Sequence, residues 1–105
     1  MILKGIVASK SIKGVSGKIR IINKNNISSF KKGEILVSYD TNPNYLVAMK
    51  KSKAILTESG GLLSHAAIVS RELNIPCIVN IKSITKKLKN EQFVKINFEK
   101  GEIEY

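Results

Sequence analysis

At 105 residues the chain fits one compact domain, enough to bury roughly two-thirds of its unfolded surface around a single core, with no room for a second catalytic domain. Apolar residues at 43% and charged residues at 25% match ordinary globular proteins. No apolar run reaches bilayer length, so a membrane-spanning role is excluded and the cytoplasm is the expected compartment. Lys and Arg outnumber Asp and Glu by 18 to 8, a formal charge of +10, which invites a nucleic-acid reading. The lysines are scattered, however, with small groups at Lys31 and Lys32, at Lys50, Lys51 and Lys53, and at Lys86, Lys87 and Lys89. No aromatic side chains are interleaved as stacking platforms, so nucleic acid is not expected as a partner, while acidic proteins are compatible.

The opening Met1-Ile2-Leu3-Lys4 is too short and too soon charged for a signal peptide, so the mature chain is expected to start at residue 1. Residues 3 to 8 and 17 to 22 read as strands, joined by a turn-rich segment containing Gly14, Ser16 and Gly17. The polar run Asn23 to Ser29 reads as a loop, and Glu34 to Tyr39 as a short apolar strand. Asn42-Pro43 carries helix-start chemistry: Asn accepts from orphan N–H groups and Pro loses no hydrogen bond at the first helical position. A short helix to about Lys51 follows, then a buried strand at Ala54 to Thr57 and a tight turn at Gly60-Gly61.

Ser64 to Leu73 is predicted as a helix from the spacing of Ala67, Ile68 and residues 71 to 73. It ends at Asn74, which tolerates left-handed backbone, with Pro76 beyond it. Cys77 to Ile81 reads as a strand, Ile84 to Leu88 as a helical turn, and Phe93 to Phe98 with Ile103 to Tyr105 as a closing pair turning at Lys100-Gly101. The single cysteine, Cys77, is expected to be a reduced, buried core thiol. The fold class is mixed α/β, with strands at both ends of one domain spanning residues 1–105.

The stretch that carries chemistry is Thr57 to Glu72, which holds the only histidine of the chain, His65, in the first turn of a helix directly after a Gly-Gly loop. Glycines expose backbone N–H groups, and a helix N-terminus offers unpaired donors and a partial positive charge to an anion. Neutral imidazole is a good nucleophile toward phosphorus, so a phosphoryl group at that position would be made readily and held well. A histidine at a helix start also serves as a surface or capping residue, and Gly-Gly is a common loop. Metal binding is not expected, because one His without clustered Cys, Asp or Glu lacks a ligand set. A serine-hydrolase site is not expected either, since no Gly-x-Ser-x-Gly elbow is present.

The run from Gly60 to Pro76 closely resembles the phosphohistidine signature of the phosphoenolpyruvate-utilising enzymes. That family includes phosphoenolpyruvate synthase, pyruvate phosphate dikinase, enzyme I of the sugar phosphotransferase system and rifampin phosphotransferase. Gly5 to Ile22, Asp40 to Pro43 and Ala54 to Gly61 also resemble the family's sequence, so the similarity covers nearly the whole chain. The resemblance implies a swivelling β/β/α phosphohistidine domain, mobile between an ATP-binding domain and a barrel domain for phosphoenolpyruvate or pyruvate, both supplied in trans.

It implies that His65 is the nucleophile and phosphoryl carrier, that the Thr57 hydroxyl orients the imidazole, that Gly60 and Gly61 shape the loop, and that Ser64 caps the helix. Arg71 matches a family arginine; six residues past His65 it leaves that helical face, so an ion pair fixing the helix is favoured over phosphate contact. ATP, phosphoenolpyruvate and magnesium are expected on the partner domains, none bound by this domain alone, and the domain is expected to be an incomplete catalyst in isolation. Leu63 stands where Thr is frequent, and Asn74 and Asn80 where Gly is usual; Asn is the next best residue for positive φ. A non-catalytic interaction or regulatory module retaining the fold is the alternative reading.

Overall fold

The computed structural model describes residues 1–105. Its strands are β1 (Ile2–Lys4), β2 (Ile6–Ser9), β3 (Gly14–Ile21), β4 (Ile35–Ser38), β5 (Ala54–Thr57), β6 (Cys77–Val79), β7 (Phe93–Asn97) and β8 (Glu102–Glu104). The helices are α1 (Leu46–Lys51), α2 (His65–Leu73) and α3 (Ile84–Lys87), with 3-10 turns at Ile27–Ser29 and Pro43–Tyr45. The strands run in the order β1-β8-β7-β3-β4-β5-β6-β2.

The expected first strand, residues 3 to 8, is two strands at opposite ends of that order. β1 pairs with β8 and β2 with β6, both antiparallel, and only Gly5 lies between them. A Cβ at Gly5 would stand 2.6 Å from both Ile81 Cγ1 and Val79 O, so the chain crosses there through space only glycine fits. The sheet therefore folds back on itself. β3 is the other shared element: Gly14 to Lys18 pair antiparallel with β7, and Ile19 to Ile21 pair parallel with β4. Gly14, Ser16 and Gly17 thus lie inside this strand and not in the expected turn, which falls at residues 10–13. Gly14 serves close approach, because a Cβ there would meet Ile96 O at 2.8 Å.

Two cores follow from strict alternation along the parallel strands β4, β5 and β6, whose residues are buried on both faces. Ile35, Val37, Ala54, Leu56 and Ile78 point into the space between the two halves of the sheet, with Leu3, Ile96, Phe98 and Ile103 opposite. Leu36, Ile55, Cys77 and Val79 point the other way and meet Met49, Ala66 and Ala67 beneath the helices. The layers are therefore β/β/α, as expected. Full burial of each large aliphatic side chain contributes about 1.5–3 kcal/mol, and Ile35, Leu36, Ile55 and Leu56 are all 0% exposed.

α2 buries small residues, Ala66, Ala67 and Ser70, which lets it lie close against the sheet. Its ends are as the sequence predicts. Asn74 adopts φ 56°, ψ 40° at the C-cap, and Ile75 N–H donates to Ser70 C=O at 2.9 Å. β6 is shorter than expected because Asn80 turns to φ 59° directly after Val79. The β4–α1–β5 and β5–α2–β6 connections are parallel crossovers, so the loops after β4 and β5 meet at the carboxyl end of the sheet, where open α/β folds place ligands.

Candidate functional site

Backbone pairing of β4 and β5 continues beyond the strands themselves: Glu58 N–H donates to Ser38 C=O at 3.0 Å and Ser59 N–H to Tyr39 C=O at 2.8 Å. The two outgoing loops are thereby held side by side. In the first loop, Ser38 Oγ donates to Asp40 C=O at 2.6 Å, and Asn42 Oδ1 accepts from Asn44 N–H at 2.8 Å to start the Pro43–Tyr45 turn. Thr41 is fixed between these two contacts and is buried.

In the second loop, Gly60 takes φ +102°, and a Cβ there would lie 2.9 Å from both Cβ and Oγ of Ser64. Gly60 is therefore the residue that the turn requires. Gly61 has no positive φ, and a Cβ at that position would meet nothing within 4 Å, so it leaves open space beside the site. Ser64 is extended at φ −69°, ψ 161°; its Oγ accepts from Ala67 N–H at 3.3 Å and donates to Gly61 C=O at 2.8 Å. That is the expected N-cap, a contact typically worth about 1 kcal/mol.

His65 is the first residue of α2 and is half-buried. Its Nδ1 stands 2.8 Å from Thr41 Oγ1. Thr57, expected to orient the imidazole, does not: it is 0% exposed and its hydroxyl donates to Ser59 C=O at 2.9 Å. The reason is positional, since Thr57 closes β5 and its hydroxyl meets the carbonyl two residues on before it can reach the ring. Thr41 holds the place assigned to it. Asp40-Thr41-Asn42-Pro43 stands out in the sequence as helix-start chemistry, but nothing local says which side chain reaches His65.

Arg71 forms no ion pair. Its guanidinium donates to Ala8 C=O at 3.1 Å and to Leu62 C=O at 2.7 Å, joining β2, α2 and the loop before His65. Carbonyl groups thus take the place of the carboxylate expected there. Glu58 carries no signal of its own in the sequence. Its carboxylate accepts from Thr85 Oγ1 at 2.7 Å and from Thr85 N–H at 3.1 Å, anchoring the segment of α3 to the site loop. The Thr85 hydroxyl holds the Glu58 carboxyl below its ordinary value, against the opposing effect of burial. Cys77 is buried, and desolvation pushes its thiol up to about 12, so it is inert core as expected.

Together Asp40, Thr41, Thr57, Ser59, Gly60, Ser64, His65 and Ala66 line a cleft of about 220 Å³. A larger groove of about 720 Å³ crosses β3 and β7 on the far half of the sheet, but it holds no histidine or cysteine. The small cleft is where the ring of His65, the start of α2 and the Gly60 turn coincide. No three His, Cys, Asp or Glu side chains stand together as a metal site. No helix is long and apolar enough to cross a membrane.

Residues 30–101 match the family model described as PEP-utilising enzyme, mobile domain. The chain belongs to this family. As a mobile domain it is 48% identical over 101 residues to phosphoenolpyruvate synthase of Pyrococcus furiosus, covering 96% of this chain and 12% of the relative. Phosphoenolpyruvate synthase of Helicobacter pylori is 43% identical over 91 residues, covering 86% of this chain and 11% of the relative. The chain thus spans about an eighth of the length of these curated relatives, in which the mobile domain is a small part of a longer polypeptide.

Among solved structures, the mobile domain superposes on the solution structure of Enzyme I with a TM-score of 0.61 and 28% identity, covering 74% of this chain and 32% of that one. It also shares its fold with aconitase X of Thermococcus kodakaraensis, at a TM-score of 0.72 and 19% identity, covering 99% of this chain and 97% of the other. The resemblance read from Gly60 to Pro76 is therefore borne out at the level of family and fold.

Proposed function

We propose that this mobile domain carries a phosphoryl group on Nε2 of His65 between a donor and an acceptor site on partner domains. The observation that carries the reading is the 2.8 Å contact between Thr41 Oγ1 and His65 Nδ1. In the neutral tautomer whose Nδ1–H donates to Thr41, the ring plane is fixed and the lone pair of Nε2 is left for attack. The Nε2 lone pair forms the N–P bond while the donor's O–P bond breaks and the donor oxygen keeps that electron pair. Transfer onward reverses these events: an acceptor oxygen attacks phosphorus, the N–P bond breaks, and neutral imidazole is regenerated. The first turn of α2 adds N–H groups and partial positive charge beside the phosphoryl oxygens. Ser64 holds that turn in place, Gly60 and Gly61 open the approach, and Arg71 and Glu58 steady the loop through its neighbours.

Kinship with phosphoenolpyruvate synthases supports ATP on one partner site and phosphoenolpyruvate or pyruvate on the other, with magnesium held there as the phosphates' counter-ion. The test is phosphoryl uptake. The purified chain is incubated with host-cell extract and either labelled phosphoenolpyruvate or β-labelled ATP, beside His65→Ala. Acid-labile, alkali-stable label that needs His65 is the expected result and identifies the donor. A folded chain that takes up no label from either donor, while a control enzyme works in the same extract, overturns the carrier reading in favour of a non-catalytic module.

A further inference from the structure

Two lysine groups that are far apart in sequence meet at the amino end of the parallel strands, the pole away from His65. Gly33 N–H donates to Lys51 C=O and Lys53 N–H to Glu34 C=O, both at 2.9 Å, so the turn before β4 and the end of α1 are stitched together. Lys31, Lys32, Lys50 and Lys51 are all exposed on these two turns, and none of them forms an ion pair. The carboxylate of Glu34 is already committed: it pairs with Arg20 at 2.9 Å and accepts from Lys31 N–H at 2.7 Å, and Glu91 pairs with the same guanidinium at 3.8 Å. Lys53 is likewise occupied, donating to Ser16 C=O at 3.0 Å. Four ammonium groups therefore face water without an ion-pair contact.

Beside them lies a notch of about 130 Å³ in which Ile27, Phe30, Val47 and Ala48 form the apolar part and Ser28, Asn44 and Lys51 the polar part. Phe30 forms its buried floor, and Val47 stands 66% exposed at its edge. Solvated lysines alone are commonplace, and one exposed valine is too. Their coincidence would suit a segment that offers one aliphatic side chain to the notch and carboxylates to the ammonium groups around it. Nucleic acid is the poorer fit: Phe30 is too buried to stack on a base, and neither arginine reaches this face with a free guanidinium.

We propose that this pole is a docking surface for an acidic protein segment that inserts one aliphatic side chain into the Phe30–Val47 notch and sets its carboxylates on Lys31, Lys32, Lys50 and Lys51. The lysines lie at the opposite ends of β4 and β5 from Thr41 and His65, and no residue lining the notch also lines the His65 cleft. A partner held here leaves the His65 cleft open, so the surface tethers without blocking transfer.

The test is fluorescence anisotropy of the full chain with three labelled probes: a glutamate peptide with a central leucine, the same peptide with a central glycine, and a short single-stranded oligonucleotide. The expected result is that the leucine peptide binds best, loses affinity about tenfold when its leucine becomes glycine, and weakens similarly with Val47→Asp. Lys31→Glu combined with Lys51→Glu is expected to abolish binding, while His65→Ala leaves it unchanged, which separates this surface from the carrier site. Absence of binding, or equal binding of all three probes, overturns the proposal; the latter outcome marks a generic polyanion effect. The two peptides differ independently of the protein, so the comparison holds even where a variant is destabilised.

Discussion

Thr41 Oγ1 and His65 Nδ1 lie 2.8 Å apart across twenty-four residues of sequence, and this contact occupies one of the two ring nitrogens. Both residues follow the carboxyl ends of neighbouring parallel strands, so the register of β4 on β5 sets the distance between them. Thr41→Val is expected to leave the fold intact and to slow phosphoryl uptake on the order of tenfold or more, the usual cost of losing an orienting contact. Thr41→Ser is expected to restore the rate. Nitrogen-15 spectra of the imidazole check the cause: wild type should hold its proton on Nδ1, and the valine variant should shift toward a mixture. An unchanged tautomer ratio would show that Thr41 does not orient the ring.

The two glycines of the site loop are expected to respond differently. Gly60→Ala forces a side chain into φ +102° and against Ser64 at 2.9 Å, which costs about 1–3 kcal/mol. Gly61→Ala meets no atom within 4 Å and is expected to change stability by less than about 1 kcal/mol. Urea midpoints of the two variants give the comparison, and equal losses would contradict the loop geometry.

The Arg20–Glu34 pair gives stability a defined pH dependence. Burial raises the Glu34 carboxyl, but the Arg20 guanidinium and the Lys31 N–H lower it more, so it ends below its ordinary 4.5. A carboxyl lowered in the folded state stabilises the fold above 4.5, and that contribution is lost as pH falls through the lowered value. The side chains of Arg20 and Glu34 are 17% and 12% exposed, so solvent screens the pair only in part. Glu34→Gln is expected to cost about 1 kcal/mol at neutral pH, with the gap to wild type closing as the pH falls below 4.5 and through the lowered value. A gap that stays constant through that range would remove the titration of Glu34 as its source.

Cys77 is expected to resist alkylation. A thiol pushed up to about 12 is thiolate in only about one molecule in ten thousand at pH 8, and burial blocks the reagent as well. Iodoacetamide labelling is expected to follow global unfolding in urea. Labelling of the native chain well ahead of that transition would place Cys77 in a region that opens locally.

What the sequence determines by itself is whatever depends on neighbouring residues. The Ser64 cap, the Asn74 terminus and the Asn42-Pro43 helix start are all satisfied within five residues of chain, and the apolar runs of β4, β5 and β6 announce strands buried on both faces. The segment around His65 is one continuous stretch, so its chemistry and its family resemblance are legible together. Only the tertiary structure decides which distant groups share a partner. Gly5 splits one apolar run between opposite ends of the sheet, β3 changes neighbours midway, and Arg71 finds carbonyls on β2 and on the loop before His65. Thr41 displaces Thr57 as the partner of His65 for the same reason: a hydroxyl bonds the nearest properly aimed acceptor, and its aim is set by strand register and loop path, which adjacent residues do not encode.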